Sequence, residues 1–224
     1  MKKAIIIGSS GLVGSVLLQK LLSSPQIESV LSLVRTASDL EHPKLQELVC
    51  DFQDLSNIED LIVGDALFFC IGTTRKKTPN LDEYRNIDCG IVQRITSIAE
   101  TNGVRQAHLI SAVGANAGSS NFYLKIKGEA EAVLKNSRFE YGCLYRPAML
   151  VGKRKEKRLG ESFGQFLSPF FDLFMGKGKF HSIKAETLAN SMLWNALKPM
   201  KGIRVCITGT CTGKRTNFIK ELFE

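Results

Sequence analysis

No stretch of the 224-residue sequence is apolar for long enough to cross a membrane. The apolar runs, such as "AIIIG" and "ALFFCIG", fall far short of the roughly 18 residues that a spanning helix needs. A secretory signal core is missing as well: "MKK" is followed by only four apolar residues before Gly8, too few for such a core. The expectation is a cytosolic, cytoplasmic protein. The six cysteines, at 50, 70, 89, 143, 206 and 211, include no CxxC pair. That argues against a disulfide or zinc framework and for buried, reduced thiols. The three histidines, His42, His108 and His181, stand far apart without ligand spacing, so no metal site is expected.

Acidic residues are outnumbered 22 to 30 by Lys and Arg, giving a net charge of +8. Five of the basic residues crowd into "GKRKEKRLG", at 153, 154, 155, 157 and 158. No aromatic residue interleaves with them and no DNA-binding motif is present, so nucleic acid ranks third among their readings and no specific nucleic-acid partner is expected. A solvated loop or an anionic ligand remains. "GTCTGKRT", at 209–216, has three residues between its glycines where a phosphate loop has four, and reads as a turn.

What is present is a core-forming composition, 44% hydrophobic and 23% charged. The length suits one domain, 1–224, and is short for two. Short β-branched runs alternate with helical patterns. "KKAIIIG", "ESVLSLVR", "LQELVCDF", "GDALFFCIG", "VRQAHLISAVGA" and "EYGCLYRPAML" read as six strands. "IRVCITG" follows as a late strand, before a terminal helix. "LVGSVLLQKLLSS" and "LDEYRNIDCGIVQRITSIAETNG" read as helices, the second stopping at Asn-Gly. Continuous apolar strands separated by helices predict an α/β fold, a doubly wound parallel sheet in three αβα layers. Residues 153–182 are less regular and read as a lid or substrate-binding segment.

"GSSGLVGSVLLQKLL" places Gly8, Gly11 and Gly14 between the first strand and the first helix. Gly8 allows a sharp turn, Gly11 a close approach to a pyrophosphate, and Gly14 tight packing of helix on sheet. Ser10, Leu12 and Val13 complete this candidate cradle. At the end of the second strand stands Arg35, where a site preferring NAD usually has a carboxylate. A guanidinium there favours a 2′-phosphate, so the expected cofactor is NADP(H). Asp51 and Phe52 are placed to meet the adenine amino group and ring. Ile71, Gly72 and Thr73 enter the same crevice after the fourth strand.

The fifth strand ends at Ser111, and Tyr123 and Lys127 follow on the next helix. Positions i and i+4 lie about 40° apart on a helix, so these two share a face, while Lys125 is turned by about 200° from Tyr123 and points away. A nearby ammonium lowers a phenol's pKa. The expected roles are Tyr123 as acid/base, Lys127 as its partner and ribose ligand, and Ser111 as the group that orients a small-molecule substrate's oxygen.

"GSSGLVG", "LISAVGA", "YLKIK" and "YRPAMLVG" together resemble the short-chain dehydrogenase/reductase superfamily. "FCIGTTR", "SSNFYLKIKGEAEA" and "YRPAMLVGKR" resemble its atypical branch of Tat-interactive-protein-like oxidoreductases. The resemblance spans residues 1 to about 152 and continues more loosely beyond. It implies a Rossmann-type sheet, NADP(H), catalytic roles for Ser111, Tyr123 and Lys127, and Pro147 beside the nicotinamide. The superfamily's Asn-Asn-Ala-Gly is replaced by "CIGTT", so a fourth catalytic asparagine is not assigned, and Asn86 is a loose candidate.

Two other functions are compatible with these residues. One is an NADP(H)-binding redox sensor or scaffold that acts on a protein partner, or touches a membrane surface, through the Phe-rich segment 163–174. The other is a sugar-nucleotide epimerase or dehydratase, which uses the same Tyr and Lys with retained NAD. Arg35 argues against the latter.

Overall fold

The computed structural model describes residues 1–152 and 182–207. Seven strands form one all-parallel sheet in the order β3-β2-β1-β4-β5-β6-β9. They are β1 (Lys3–Ile7), β2 (Ser29–Val34), β3 (Leu45–Val49), β4 (Ala66–Phe69), β5 (Gln106–Ile110), β6 (Tyr141–Arg146) and β9 (Gly202–Ile207). A separate two-stranded pair joins β7 (Leu150–Val151) to β8 (Ile183–Lys184). The order reverses at β1, which pairs with β2 on one side and β4 on the other. That is the Rossmann-type switch point, where ligands settle at the carboxyl ends of the strands.

Alternation along β1 shows why both faces are covered. Ile5 and Ile7 pack with Leu31, Leu67, Phe69 and Leu109 against one helical layer. Ala4 and Ile6 pack with Val30, Phe68 and Tyr145 against the other. The first layer holds α2 (Leu81–Arg85), α3 (Ile91–Thr101) and α4 (Phe122–Lys135); the second holds α1 (Leu12–Ser23) and α5 (Ala185–Leu197). Parallel strands buried on both faces are near-continuously apolar, and β4 is buried at each of its positions.

The structure departs from the expected elements in two places. The helix from 81 is continuous, but it contains one π-helical turn, Asn86–Gly90. Helix α5 has no counterpart in the sequence reading, although Leu188, Met192 and Ala196 supply its buried stripe. Most of the lid segment, residues 153–181, lies outside the described residues. So do the basic run, the Phe-rich segment 163–174, the turn at 209–216 and the terminal helix.

Candidate cofactor and catalytic site

The glycine loop is built by close contact. Gly8 adopts φ +86°, and a Cβ on it would lie 2.7 Å from the Cys70 carbonyl. A Cβ on Gly14 would lie 2.0 Å from the Gly8 oxygen. No side chain can occupy either place, so the first turn of α1 is drawn against the ends of β1 and β4. Helix α1 has no side-chain cap and no acidic residue in its first turn. By contrast, Asn80 and Asn121 cap α2 and α4 through their side chains. The unpaired amides at the α1 N-terminus fit an anion such as a pyrophosphate, and a nicotinamide dinucleotide fits this cradle.

The other expected cofactor residues follow the strand ends. Arg35 is exposed immediately after β2. Asp51 accepts from the Gln53 amide at 2.9 Å. The reading of Phe52 as an adenine-stacking ring is corrected: the ring is buried in the core and its carbonyl accepts from Arg94 at 2.8 Å. Ile71 and Thr73 are half-buried and Gly72 is exposed. Pro147 is buried just past β6, where its carbonyl accepts from the Val113 amide.

Helix α4 carries Tyr123, half-buried, and Lys127, buried, one turn apart; Lys125 is exposed, as its angle requires. The Lys127 ammonium lies 2.7 Å from the Asp88 carboxylate, and both side chains are almost wholly buried. The other Asp88 oxygen accepts from the Thr73 amide at 2.9 Å. Gly72 borders this pair: a Cβ there would make ordinary contacts, 3.5 Å from Asp88 Oδ1 and 3.6 Å from Lys127 Nζ. Asp88 sits inside the π turn; the extra residue in that turn re-aims its neighbours, a use such turns often have at functional sites. Asn86 is not beside Lys127 in this role. Its amide oxygen accepts from Arg94 at 2.7 Å.

Electrostatics correct one further expectation. Burial raises the pKa of Tyr123; Lys127 pulls it down and Asp88 pushes it up, and the net direction is upward. Burial disfavours the charged form of Lys127, but Asp88 more than offsets this, with help from Tyr123, so the lysine's pKa ends above its ordinary value. The phenol is therefore held protonated at neutral pH.

Ser111 also differs from expectation. It is buried, and its hydroxyl donates to Glu131 at 2.7 Å. Glu131 is fully buried and also accepts from Arg146 Nε at 2.7 Å, Arg146 Nη2 at 2.6 Å and Lys135 at 3.0 Å. Arg146 in turn donates to the Ala115 carbonyl at 3.1 Å, tying down the loop after β5. In this geometry the Ser111 proton is committed to the interior. The motif reading passed over both Asp88 and Glu131. Two signals were available: Asp88 is an acid between Ile87 and Cys89 within a helix, and Glu131 continues the four-residue spacing from Lys127.

A family profile described as NAD(P)H-binding matches residues 8–168. Protein HTATIP2 of Rattus norvegicus is 30% identical over 205 residues, covering 90% of this chain and 84% of the relative. Protein FMP52, mitochondrial, of Candida albicans is 34% identical over 166 residues, covering 71% of this chain and 72% of the relative. Among solved structures, MoeE5 in complex with UDP-glucose and NAD superposes with a TM-score of 0.69 at 17% identity, covering 92% of this chain and 76% of that one. WbmH of Bordetella bronchiseptica in complex with NAD+ gives 0.69 at 19%, covering 91% and 74%. At these identities the structures establish the fold alone. The cytoplasmic expectation is overturned by the relatives: FMP52 proteins of Candida albicans, Meyerozyma guilliermondii and Eremothecium gossypii are named mitochondrial. A missing secretory core does not assign a compartment.

Proposed function

The chain belongs to the NAD(P)H-binding family, as an atypical short-chain dehydrogenase/reductase resembling HTATIP2, and from that premise we propose that it is an NADP(H)-dependent oxidoreductase acting at a carbonyl or alcohol carbon. The observation that carries this reading is the buried Asp88–Lys127 pair, one helical turn from Tyr123 and against Gly72 in the loop after β4. The bound nicotinamide would supply or accept the hydride. The main chain of Gly8, Ser10, Gly11, Leu12, Val13 and Gly14 would hold the pyrophosphate. Arg35 would meet the 2′-phosphate, and Asp51 with the Phe52 backbone the adenine side. Ile71, Gly72, Thr73, Lys127 and Pro147 would line the nicotinamide side.

Tyr123 would hold the transferred proton at its Oη. A phenol kept protonated suits reduction, in which a developing alkoxide takes that proton. Lys127, itself fixed by Asp88, would keep a positive charge beside the phenolate that forms. Ser111 would support the site through Glu131 rather than by donating to the substrate.

Fluorescence titration with NADPH and NADH tests the cofactor reading. Tighter binding of NADPH, lost in Arg35→Ala, is expected. Equal or NADH-favoured binding would return the epimerase reading, and binding of neither would leave a scaffold. A second prediction concerns Asp88. Asp88→Asn keeps an acceptor for the Thr73 amide but removes a charge that raises the pKa of both Tyr123 and Lys127. Alcohol oxidation needs the phenolate, so the acidic limb of its pH–rate profile should move to lower pH. A profile superimposable on wild type would show that Asp88 does not govern Tyr123.

A further inference from the structure

One cation beside the first turn of the helix that carries Tyr123 is not used by the cofactor reading. Arg75 lies on the loop that follows β4, and this loop is tightly fixed. The Thr73 amide is held by Asp88, and the Thr73 carbonyl accepts from the Tyr84 hydroxyl at 3.2 Å. The Thr73 and Thr78 hydroxyls are 2.8 Å apart. The Lys77 and Thr78 amides both close back onto the Thr74 carbonyl. Held this way, the Arg75 guanidinium lies over the ring of Phe122, 5.9 Å from its centroid. Phe122 is the residue before Tyr123 and meets Tyr84 edge-on at 5.6 Å.

Arg75 is half-buried, yet among the described residues no carboxylate pairs with it. Arg85, Arg105 and Arg146 each have such a partner: Glu129, Glu140 and Glu131. Its charge is felt locally, since it lowers the pKa of Tyr84 against the larger upward effect of burial. A guanidinium placed over an aromatic ring leaves N–H groups of its planar fork available, and that fork matches a carboxylate.

We propose that Arg75 sets substrate specificity by binding the carboxylate of an anionic substrate whose reacting carbon lies at Tyr123. The inference rests on the oxidoreductase reading above, and it names the substrate class. The fixed loop holds the Arg75 backbone in place before any ligand arrives, so the loop itself needs little ordering on binding.

Benzoate and its neutral isostere benzamide serve as probes, titrated into NADP-loaded protein and followed by NMR. Wild type should bind benzoate at least about tenfold more tightly than benzamide. Arg75→Gln should abolish that preference and Arg75→Lys restore part of it, with NADPH affinity unchanged in both. The same variants should lose selectivity for 4-carboxybenzaldehyde over 4-methylbenzaldehyde in NADPH oxidation. Equal binding of the two probes by wild type, or a preference that survives in Arg75→Gln, would overturn the proposal. So would a loss of NADPH affinity in Arg75→Gln, which would assign the cation to the cofactor's phosphates. If wild type bound no NADPH, the oxidoreductase reading would fall, and the benzoate comparison on the free protein would still decide the anion site.

Discussion

Tyr123→Phe is expected to cut turnover by about 10²–10⁴-fold, the range general acid catalysis contributes, with NADPH affinity nearly unchanged. The substitution removes one oxygen. The ring still packs against the core cluster that Tyr123 joins, so the fold has no reason to yield. Lys127 keeps its Asp88 partner, so it stays positioned. The loss should therefore fall on kcat, because what is removed is the proton held at Oη. Steady-state kinetics alongside cofactor fluorescence would separate the two quantities. Turnover equal to wild type would remove Tyr123 from the chemistry.

The second large effect is on stability. Glu131→Gln should destabilise the fold by about 3 kcal/mol, the lower end for breaking a buried ion pair, because Arg146 keeps some contact with solvent. For a domain of this size that is a fall of roughly 6–12 °C in Tm. Burial alone would raise the Glu131 pKa, but hydrogen bonds from Arg146, Ser111 and Lys135 bring it below its ordinary value. A carboxylate whose folded pKa is depressed stabilises the fold above its unfolded pKa, about 4.3. That contribution is lost as pH falls through the folded value. The wild-type and Glu131→Gln melting curves should thus differ most at neutral pH and converge in acid. A constant gap across that range would show that the lost stability is packing and not charge.

What could be read from the residues alone was local geometry. The glycine loop was legible because a strand, three glycines and a helix follow one another without interruption, and their contacts are short-range. Tyr123 and Lys127 could be placed on one face because the helical period is fixed, and the exposed Lys125 follows from the same arithmetic. Asp88 was not legible. Its approach to Lys127 depends on a π turn, and "NIDCG" carries no propensity that marks one. Ser111 was placed correctly at a strand end, but its hydroxyl direction is set by Glu131, twenty residues away in sequence. Phe52 looked like a ligand-facing ring because strand ends line the crevice. Its burial depends on how the following loop folds back over the core.

Helix α4 presents Tyr123, Lys127, Glu131 and Lys135 at a constant interval of four. The upper two are the residues proposed for the chemistry; of the lower two, Glu131 is buried in the tie to Ser111 and Arg146, and Lys135 reaches it from the exposed side. This has a consequence for length changes in the gene. Deleting one codon between 127 and 131 would turn everything downstream by about 100°. Glu131 would be taken from Ser111 and Arg146, and Leu134 from its core neighbours, while Tyr123 stayed in place. The exposed run 36–41, beyond Arg35, has no such phase to keep. Insertions and deletions among variants of this chain should therefore collect in that run, and α4 should vary by substitution alone.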